Sequence, residues 1–175
     1  SAILILADNY PQQKVKVPET FSDQAKNKNL RVYIEYPDRV PGLKTGPVRK
    51  IEKERGVITT DVFGESLQKM RIVMIHDCHF VPVNAQDPYI VMAKVAGFDT
   101  ALFGLDSTET FPILYEYPGS NILVSTTKLS HFITGRYSPK DAWKPIWEFI
   151  FSRLQPEKKA PEFDWTETVR PTFRD

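Results

Sequence analysis

The sequence contains a single cysteine, Cys78, and this scarcity excludes several classes of site. One thiol cannot form an internal disulfide, and it cannot supply a metal site that needs several cysteines. The eight glycines are scattered, so neither of the phosphate-binding patterns G-x-G-x-x-G and G-x-x-x-x-G-K occurs. We therefore expect no disulfide framework and no glycine-rich nucleotide loop, and we predict no cofactor.

The sequence also lacks an excess of charge of one sign and lacks long apolar runs. Its 23 Lys and Arg nearly balance 22 Asp and Glu, for a formal net charge of +1. That balance predicts no broad nucleic-acid-binding surface. No run reaches the roughly 18 apolar residues of a transmembrane helix. Neither nucleic acid nor a membrane is therefore expected as a partner, and the location in the cell stays open.

The sequence does have the composition of a folded domain, and its patterns predict both strands and helices. Hydrophobic residues make up 41% and charged residues 26% of the 175 positions, which suits one globular domain. Short apolar or alternating runs bounded by turn residues predict strands, and capping residues with an apolar stripe predict helices. The predicted strands span residues 2–7, 30–36, 56–60, 71–75, 100–103, 111–117 and 121–126, and the predicted helices span residues 89–96 and 138–154.

This mixture of strands and two or three helices predicts an α/β fold with a mixed, mainly parallel sheet. We place a single domain in residues 1–154. Residues 155–175 are rich in proline and carry Phe163, Trp165 and Phe173. They are predicted to form an extended tail or linker towards a further domain, which the Trp165 and Phe173 side chains would contact.

Cys78 is the one candidate nucleophile, with His131 as its candidate base. A nucleophile elbow needs small residues two positions on either side, and here these are His76 and Phe80. A structural thiol is therefore favoured over a catalytic one. His76 and His79 lack the H-E-x-x-H spacing, so we predict no metal site.

Polar residues follow several of the predicted strands and form the candidate ligand site. If these strands run in parallel, their carboxyl ends meet at one edge of the sheet, where α/β folds bind ligands. Such an edge could hydrogen-bond a glycan or another small polar molecule, although each residue alone also suits a turn. The predicted ligand-binding residues are Asp8, Tyr36, Asp61, Asp77 and His79.

Four stretches of the chain give it a likeness to a known family. They are R-G-V-I-T-T-D at 55–61, V-A-G-F-D-T-A at 95–101, F-P-I-L at 111–114, and the segment from Ser125 to Pro139. Over residues 30–155 the chain resembles the glutamine-amidotransferase-like (class I) domains that accompany catalytic domains in bacterial glycoside-hydrolase-type proteins. The resemblance implies a flavodoxin-like three-layer sandwich with an accessory role in packing or oligomerisation.

The same resemblance carries over no catalytic residue. The family's G-x-C-x-G pattern is not met around Cys78, and its H-x-E pair fails because Ile133 stands two positions after His131. The first hypothesis is thus a non-catalytic accessory domain that packs against an adjacent catalytic domain of the same polypeptide, or forms a homo-oligomer. The alternatives are a glycan or small-molecule binding module, and a hydrolase or amidotransferase that uses Cys78 and His131.

Overall fold

The structure is a computed structural model that describes residues 1–75, 77–132, 140–159 and 161–164. Within these residues there are nine strands and two helices, joined by loops and three short 3-10 turns. The strands are β1 (Ala2–Ile5), β2 (Arg31–Glu35), β3 (Arg49–Lys50), β4 (Arg55–Ile58), β5 (Ile72–Val73), β6 (His79–Phe80), β7 (Ile90–Ala93), β8 (Thr110–Glu116) and β9 (Ile122–Ser125). The helices are α1 (Phe21–Asn27) and α2 (Lys140–Leu154).

Seven of the strands form one curled, mixed sheet in the order β1-β2-β9-β8-β7-β4-β5, with the shape of a half-barrel. β1, β2 and β9 are parallel, whereas every neighbouring pair from β9 to β5 is antiparallel. β3 and β6 form a separate two-stranded sheet. The predicted flavodoxin-like three-layer sandwich with a mainly parallel sheet is therefore wrong.

The lengths of the connections explain why the sheet is mixed. A parallel pair needs a crossover of about a dozen residues or more. Residues 6–30 provide such a crossover between β1 and β2, and they contain α1. Residues 117–121 are all that separates β8 from β9, so this pair is an antiparallel hairpin, as the sequence predicted.

Two predictions for single elements are also wrong. Residues 89–96 form no helix, because Ile90–Ala93 is β7, a strand buried along its whole length in the middle of the sheet. Asp87 has a positive φ of 46° rather than the extended backbone of a helix N-cap. Residues 100–103 contain only an isolated bridge between Thr100 and Arg71. Burial of the apolar run thus outweighs the local capping signal.

The final helix is confirmed, and it buries the predicted stripe of side chains. Trp143, Ile146, Trp147, Ile150 and Leu154 are all buried against one face of the sheet. The predicted cap residues Ser138 and Pro139 lie outside the described residues. No helix in the described ranges is both long and apolar enough to cross a bilayer.

The sheet separates two apolar cores because successive residues of β2 and β9 point to opposite faces. Tyr33 and Leu123 pack under α2 on one face. Val32 and Val124 pack on the other face, under α1 and the loops that hold Val40 and Val81. The sheet is therefore covered on both faces near β2 and β9, with a single long helix on one of them.

Phe163, in the segment after α2, packs against the domain. The ring of Phe163 lies 5.3 Å from the ring of Phe151, centroid to centroid. The predicted contacts of Trp165 and Phe173 fall outside the described residues, so the boundary at residue 154 stays a prediction.

Candidate functional site

The parallel strands β1, β2 and β9 end at the same edge of the sheet, and polar side chains gather there. We call this set the carboxyl-edge cluster. It receives Tyr10 from the loop after β1, Glu35 from the end of β2, and two hydroxyl residues from the segment after β9. Its members are Tyr10, Glu35, Cys78, His79, Thr127 and Ser130.

Tyr10 is the centre of one half of the cluster. Its hydroxyl donates to the backbone oxygen of His79 at 2.8 Å and accepts from the backbone nitrogen of the same residue at 2.5 Å. The Thr127 hydroxyl also donates to the His79 oxygen, at 2.8 Å. The Tyr10 ring packs edge-on against Tyr36 at 4.9 Å and lies 6.2 Å from the ring of His131. Tyr10 thereby joins the loops after β1, β5 and β9.

Cys78 lies beneath Tyr10 and is completely buried. Its thiol is within hydrogen-bonding reach of the Tyr10 and Thr127 hydroxyls. Burial is the main cause that raises the pKa of the Cys78 thiol to about 12. Since the thiolate is the nucleophilic form, a thiol that stays protonated at neutral pH is poorly suited to attack.

Glu35 is the centre of the other half, and it is a fully buried carboxylate. Its two oxygens accept four hydrogen bonds, from the Ala7 nitrogen, the Tyr33 hydroxyl, and both the nitrogen and the hydroxyl of Ser130. Burial raises the pKa of Glu35, and the donors around it oppose that rise. The carboxylate ties β1, β2 and the turn after β9 together, so its evident role is to hold this edge in place.

At three positions of this edge the backbone has a positive φ, which residues other than glycine rarely adopt. Asn9, Tyr36 and Asp77 have φ values of 46°, 45° and 54°. Asn and Asp tolerate this left-handed region, whereas a bulky residue such as tyrosine seldom occupies it. Backbone strain of this kind costs on the order of 1–3 kcal/mol and persists only where the surroundings enforce it. The edge is therefore firmly constrained by its packing.

The predicted ligand-binding residues are distributed unevenly around this edge. Asp8 and Asp77 are exposed there, His79 is half-buried and Tyr36 is fully buried. Asp61 lies at the opposite end of the sheet, because β4 runs antiparallel to β7 and so against the direction of β1, β2 and β9. Its carboxylate there accepts from the Lys69 backbone nitrogen at 2.8 Å. The structure thus brings four of the five residues to one edge, of which three reach solvent.

Sequence reasoning missed the residues that make most of the contacts. Glu35 looked like an outward-facing position of an alternating strand, yet it is buried. Ser125, Thr126 and Thr127 are likewise fully buried. The signal that could have found them is a run of three hydroxyl residues at the end of an apolar strand, which indicates an internal polar network. His76 is not among the described residues.

The arrangement can hold loops and donate hydrogen bonds, and nothing in it organises a metal. Across the described ranges, no three His, Cys, Asp or Glu side chains come together as metal ligands would. The exposed carboxylates of Asp8 and Asp77 and the half-buried His79 are the groups that a polar ligand could reach.

Comparison with known proteins adds no assignment to this site or to the fold. No protein-family model matches the chain, and neither does any curated protein or solved structure.

Proposed function

We propose that this chain is a non-catalytic accessory domain that packs against an adjacent domain of the same polypeptide, in a bacterial carbohydrate-active protein. One observation carries the proposal. Phe98, Leu102 and Phe103, within a single loop, have exposed fractions of 96%, 69% and 72%. Large apolar side chains grouped at a surface are typical of protein interaction sites.

The loop that carries these residues, 96–103, is held in shape by several hydrogen bonds, and we call it the apolar loop. The Leu102 nitrogen donates to the Ala96 oxygen at 3.0 Å, and the Ala101 nitrogen donates to the Met70 oxygen at 2.9 Å. The Arg55 guanidinium donates to the Gly97 oxygen at 2.6 Å. A surface that is already ordered loses less conformational entropy when a partner binds.

The two alternative functions have less support. The buried Cys78 with its raised pKa does not favour a thiol-dependent hydrolase or amidotransferase. A glycan module at the carboxyl edge would have to work without Tyr36, which is buried, and without Asp61, which lies at the other end of the sheet. Neither alternative accounts for the exposed aromatic residues of the apolar loop.

The test compares the 175-residue chain with the full polypeptide that its gene encodes. We expect the reading frame to continue beyond Asp175 into a second domain. Amide hydrogen exchange in residues 96–103 is then expected to be slower in the longer protein, because the second domain covers the loop. A reading frame that stops at Asp175, or equal exchange in both proteins, would contradict the proposal.

A pair of double variants provides the control. Phe98→Ser with Phe103→Ser is expected to remove the added protection, whereas Val62→Ser with Met74→Ser is expected to retain it. Val62 and Met74 are exposed apolar residues outside the loop, so both pairs remove surface hydrophobicity. Analytical ultracentrifugation tests a second copy as the partner. If the 175-residue chain sediments as a dimer, and only the Phe98→Ser with Phe103→Ser variant is monomeric, then the loop binds a second copy of the chain and not an adjacent domain.

A further inference from the structure

A small cavity lies between the C-terminal end of α2 and the sheet, at the end of β2 opposite Glu35. It encloses about 250 Å³, counting space that is open to solvent. Sites for drug-sized molecules have volumes of roughly 300–1,000 Å³, so this cavity suits a smaller chemical group. We call it the Arg31 cavity, and its lining includes Arg31, Glu116, Asn121, Leu123, Arg153 and Leu154.

The alternation of side chains along β2 and β9 directs two polar residues towards α2 in this cavity. Tyr33 and Leu123 pack under α2. Arg31 and Asn121 each lie two residues before one of them, and so on the same face of the sheet. The Val32 nitrogen donates to the Asn121 oxygen at 2.9 Å, which holds the starts of the two strands side by side. Arg31 and Asn121 are therefore neighbours on the face that α2 covers.

Positive charge exceeds negative charge in the lining of the Arg31 cavity. Arg31 and Arg153 contribute two cations, and Glu116 contributes one carboxylate. The Oε2 atom of Glu116 accepts from the Arg153 guanidinium and from the Tyr89 hydroxyl. This carboxylate is thus already matched with Arg153, and one positive charge in the lining stays uncompensated.

Arg31 is the cation that lacks a counter-charge. It is half-buried, and its guanidinium makes no hydrogen bond or ion pair with another described residue. A guanidinium cannot lose its proton in a protein, and charged groups that leave solvent are normally paired. The cavity therefore offers Arg31 to an anion from outside the chain.

Two further groups add hydrogen-bond donors beside Arg31. The side-chain amide of Asn121 offers two N–H donors, and it makes no hydrogen bond with the described residues. Arg153 is bound to Glu116 through Nη2, and its remaining N–H groups make no bond within the described part of the chain. A guanidinium presents parallel N–H groups that match two oxygens of a carboxylate or a phosphate.

We propose that the Arg31 cavity binds a small oxyanion, a phosphate or a carboxylate group. Arg31 binds two of its oxygens, Asn121 donates to one of them, and Arg153 contacts the anion from α2. Because the cavity holds only a small group, the rest of a larger ligand lies in solvent. The cavity shares no residue with the apolar loop, so this inference does not depend on the docking proposal.

NMR titration of the isotope-labelled chain tests this with inorganic phosphate, succinate and chloride at matched low ionic strength. We expect saturable shifts of the Arg31 Nε–H and Asn121 amide signals with phosphate, succinate or both. Chloride should bind at least about tenfold more weakly, a difference of about 1.4 kcal/mol. Binding of phosphate alone identifies a phosphate site, and binding of succinate alone identifies a carboxylate site. No saturable shift with either, or binding no stronger than that of chloride, overturns the proposal.

A pair of arginine variants locates the site. Arg31→Gln is expected to weaken binding of the oxyanion by at least about tenfold, the effect of losing about 1.4 kcal/mol. Arg39→Gln, which removes an arginine that pairs with Glu19 beyond the other end of β2, is expected to bind like the unchanged chain. Circular dichroism confirms that each variant is folded. Unchanged binding by Arg31→Gln, or an equal loss with Arg39→Gln, overturns the assignment.

A second substitution tests the cavity without removing its arginine. Asn121→Asp places a carboxylate of the chain itself beside Arg31, where the anion is expected. This variant should therefore lose oxyanion binding, and it should melt at a higher temperature than the unchanged chain when no anion is present. Asn84→Asp, at an exposed asparagine outside the cavity, is the matched control and should change neither property. Retained binding by Asn121→Asp, or a melting temperature no higher than that of Asn84→Asp, overturns the placement of the anion between Arg31 and Asn121.

Discussion

At the scale of single residues, the carboxyl-edge cluster is a buried polar network in which each member fixes a neighbour. Tyr10 holds the segment around His79, and Glu35 holds Ala7 and Ser130. Such networks stabilise a fold only while every group stays paired, because an unpaired buried polar group costs about 1–3 kcal/mol. Substitutions in this cluster should therefore lower the free energy of unfolding.

Cys78 gives the first prediction at this scale. Iodoacetamide at pH 8 should modify the folded chain very slowly, because burial and a pKa of about 12 leave little thiolate. An unfolded thiol, with a pKa of about 8.5, has a thiolate fraction roughly a thousandfold higher. Mass spectrometry of the alkylated protein, with and without urea, measures both rates. Comparable rates in the two conditions would show an accessible, activated thiol and would favour the cysteine-dependent alternative.

Glu35 gives the second prediction, which concerns pH. Because burial raises its pKa above the ordinary 4.5, the folded state holds this proton more tightly than the unfolded state does. Its contribution to stability is therefore complete below about pH 4.5 and is lost as the pH rises through the raised value. Glu35→Gln removes this ionisation and should flatten the fall in stability above pH 4.5.

The same variant also breaks hydrogen bonds, so it should be less stable at pH 7 by about 1–3 kcal/mol. A glutamine amide nitrogen cannot accept from two of the donors that now face the carboxylate. Urea unfolding across pH 4–8 measures both effects. Glu19→Gln is the matched control, since Glu19 is an exposed carboxylate whose one ion pair among the described residues is with Arg39. A pH profile of Glu35→Gln that runs parallel to that of the unchanged chain would refute the role given to its ionisation.

At the scale of elements, the sequence correctly predicted the strands and helices whose local residue pattern matches their burial in the fold. Three elements were predictable because their local pattern matches their burial in the fold. β2 has alternating apolar residues, the β8–β9 hairpin has a proline-glycine turn, and α2 has an apolar stripe along one face. β7 was not predictable, since Asp87, Pro88 and Gly97 mimic a helix, while burial on both sides of Ile90–Ala93 requires a strand. α1 was also missed, because its seven residues contain only one that is fully buried.

The apolar loop after β7 provides the prediction at this scale. Gly97 has a φ of 124°, and a Cβ added there would lie 2.1 Å from the Thr100 oxygen. Gly97→Ala must therefore displace the backbone of the loop, and it should destabilise the chain by more than 2 kcal/mol, above the roughly 1 kcal/mol that a positive φ alone costs.

Gly119→Ala is the matched control for this substitution. Gly119 also has a positive φ, 66°, but a Cβ there meets nothing within 4 Å. Denaturant unfolding of both variants separates the cost of the backbone angle from the cost of the collision. Equal losses for Gly97→Ala and Gly119→Ala would mean that the loop accommodates the added methyl group.

At the scale of the whole molecule, the sequence predicted a mixed sheet with helices but not its architecture. Outside the short β8–β9 hairpin, the direction of each strand depends on long-range pairing, which local patterns do not reveal. That error also affected the candidate site: Asp61 was grouped with the ends of strands that point the other way. The polar edge around Asp8, Asp77 and His79 could still be predicted, because β1, β2 and β9 are parallel and β5 runs in the same direction.

The edge strand β1 has a consequence for how this protein behaves in concentrated solution. Ile3, Leu4 and Leu6 are partly exposed, and in the described ranges no strand pairs with the outer side of β1. Residues 2–7 contain no charge and no proline, the usual protections of a sheet edge. Such an edge is a template onto which another extended chain can add, and short uncharged apolar strands are the segments that stack into fibrils. We therefore expect β1 to limit the concentration at which the isolated chains stay dispersed.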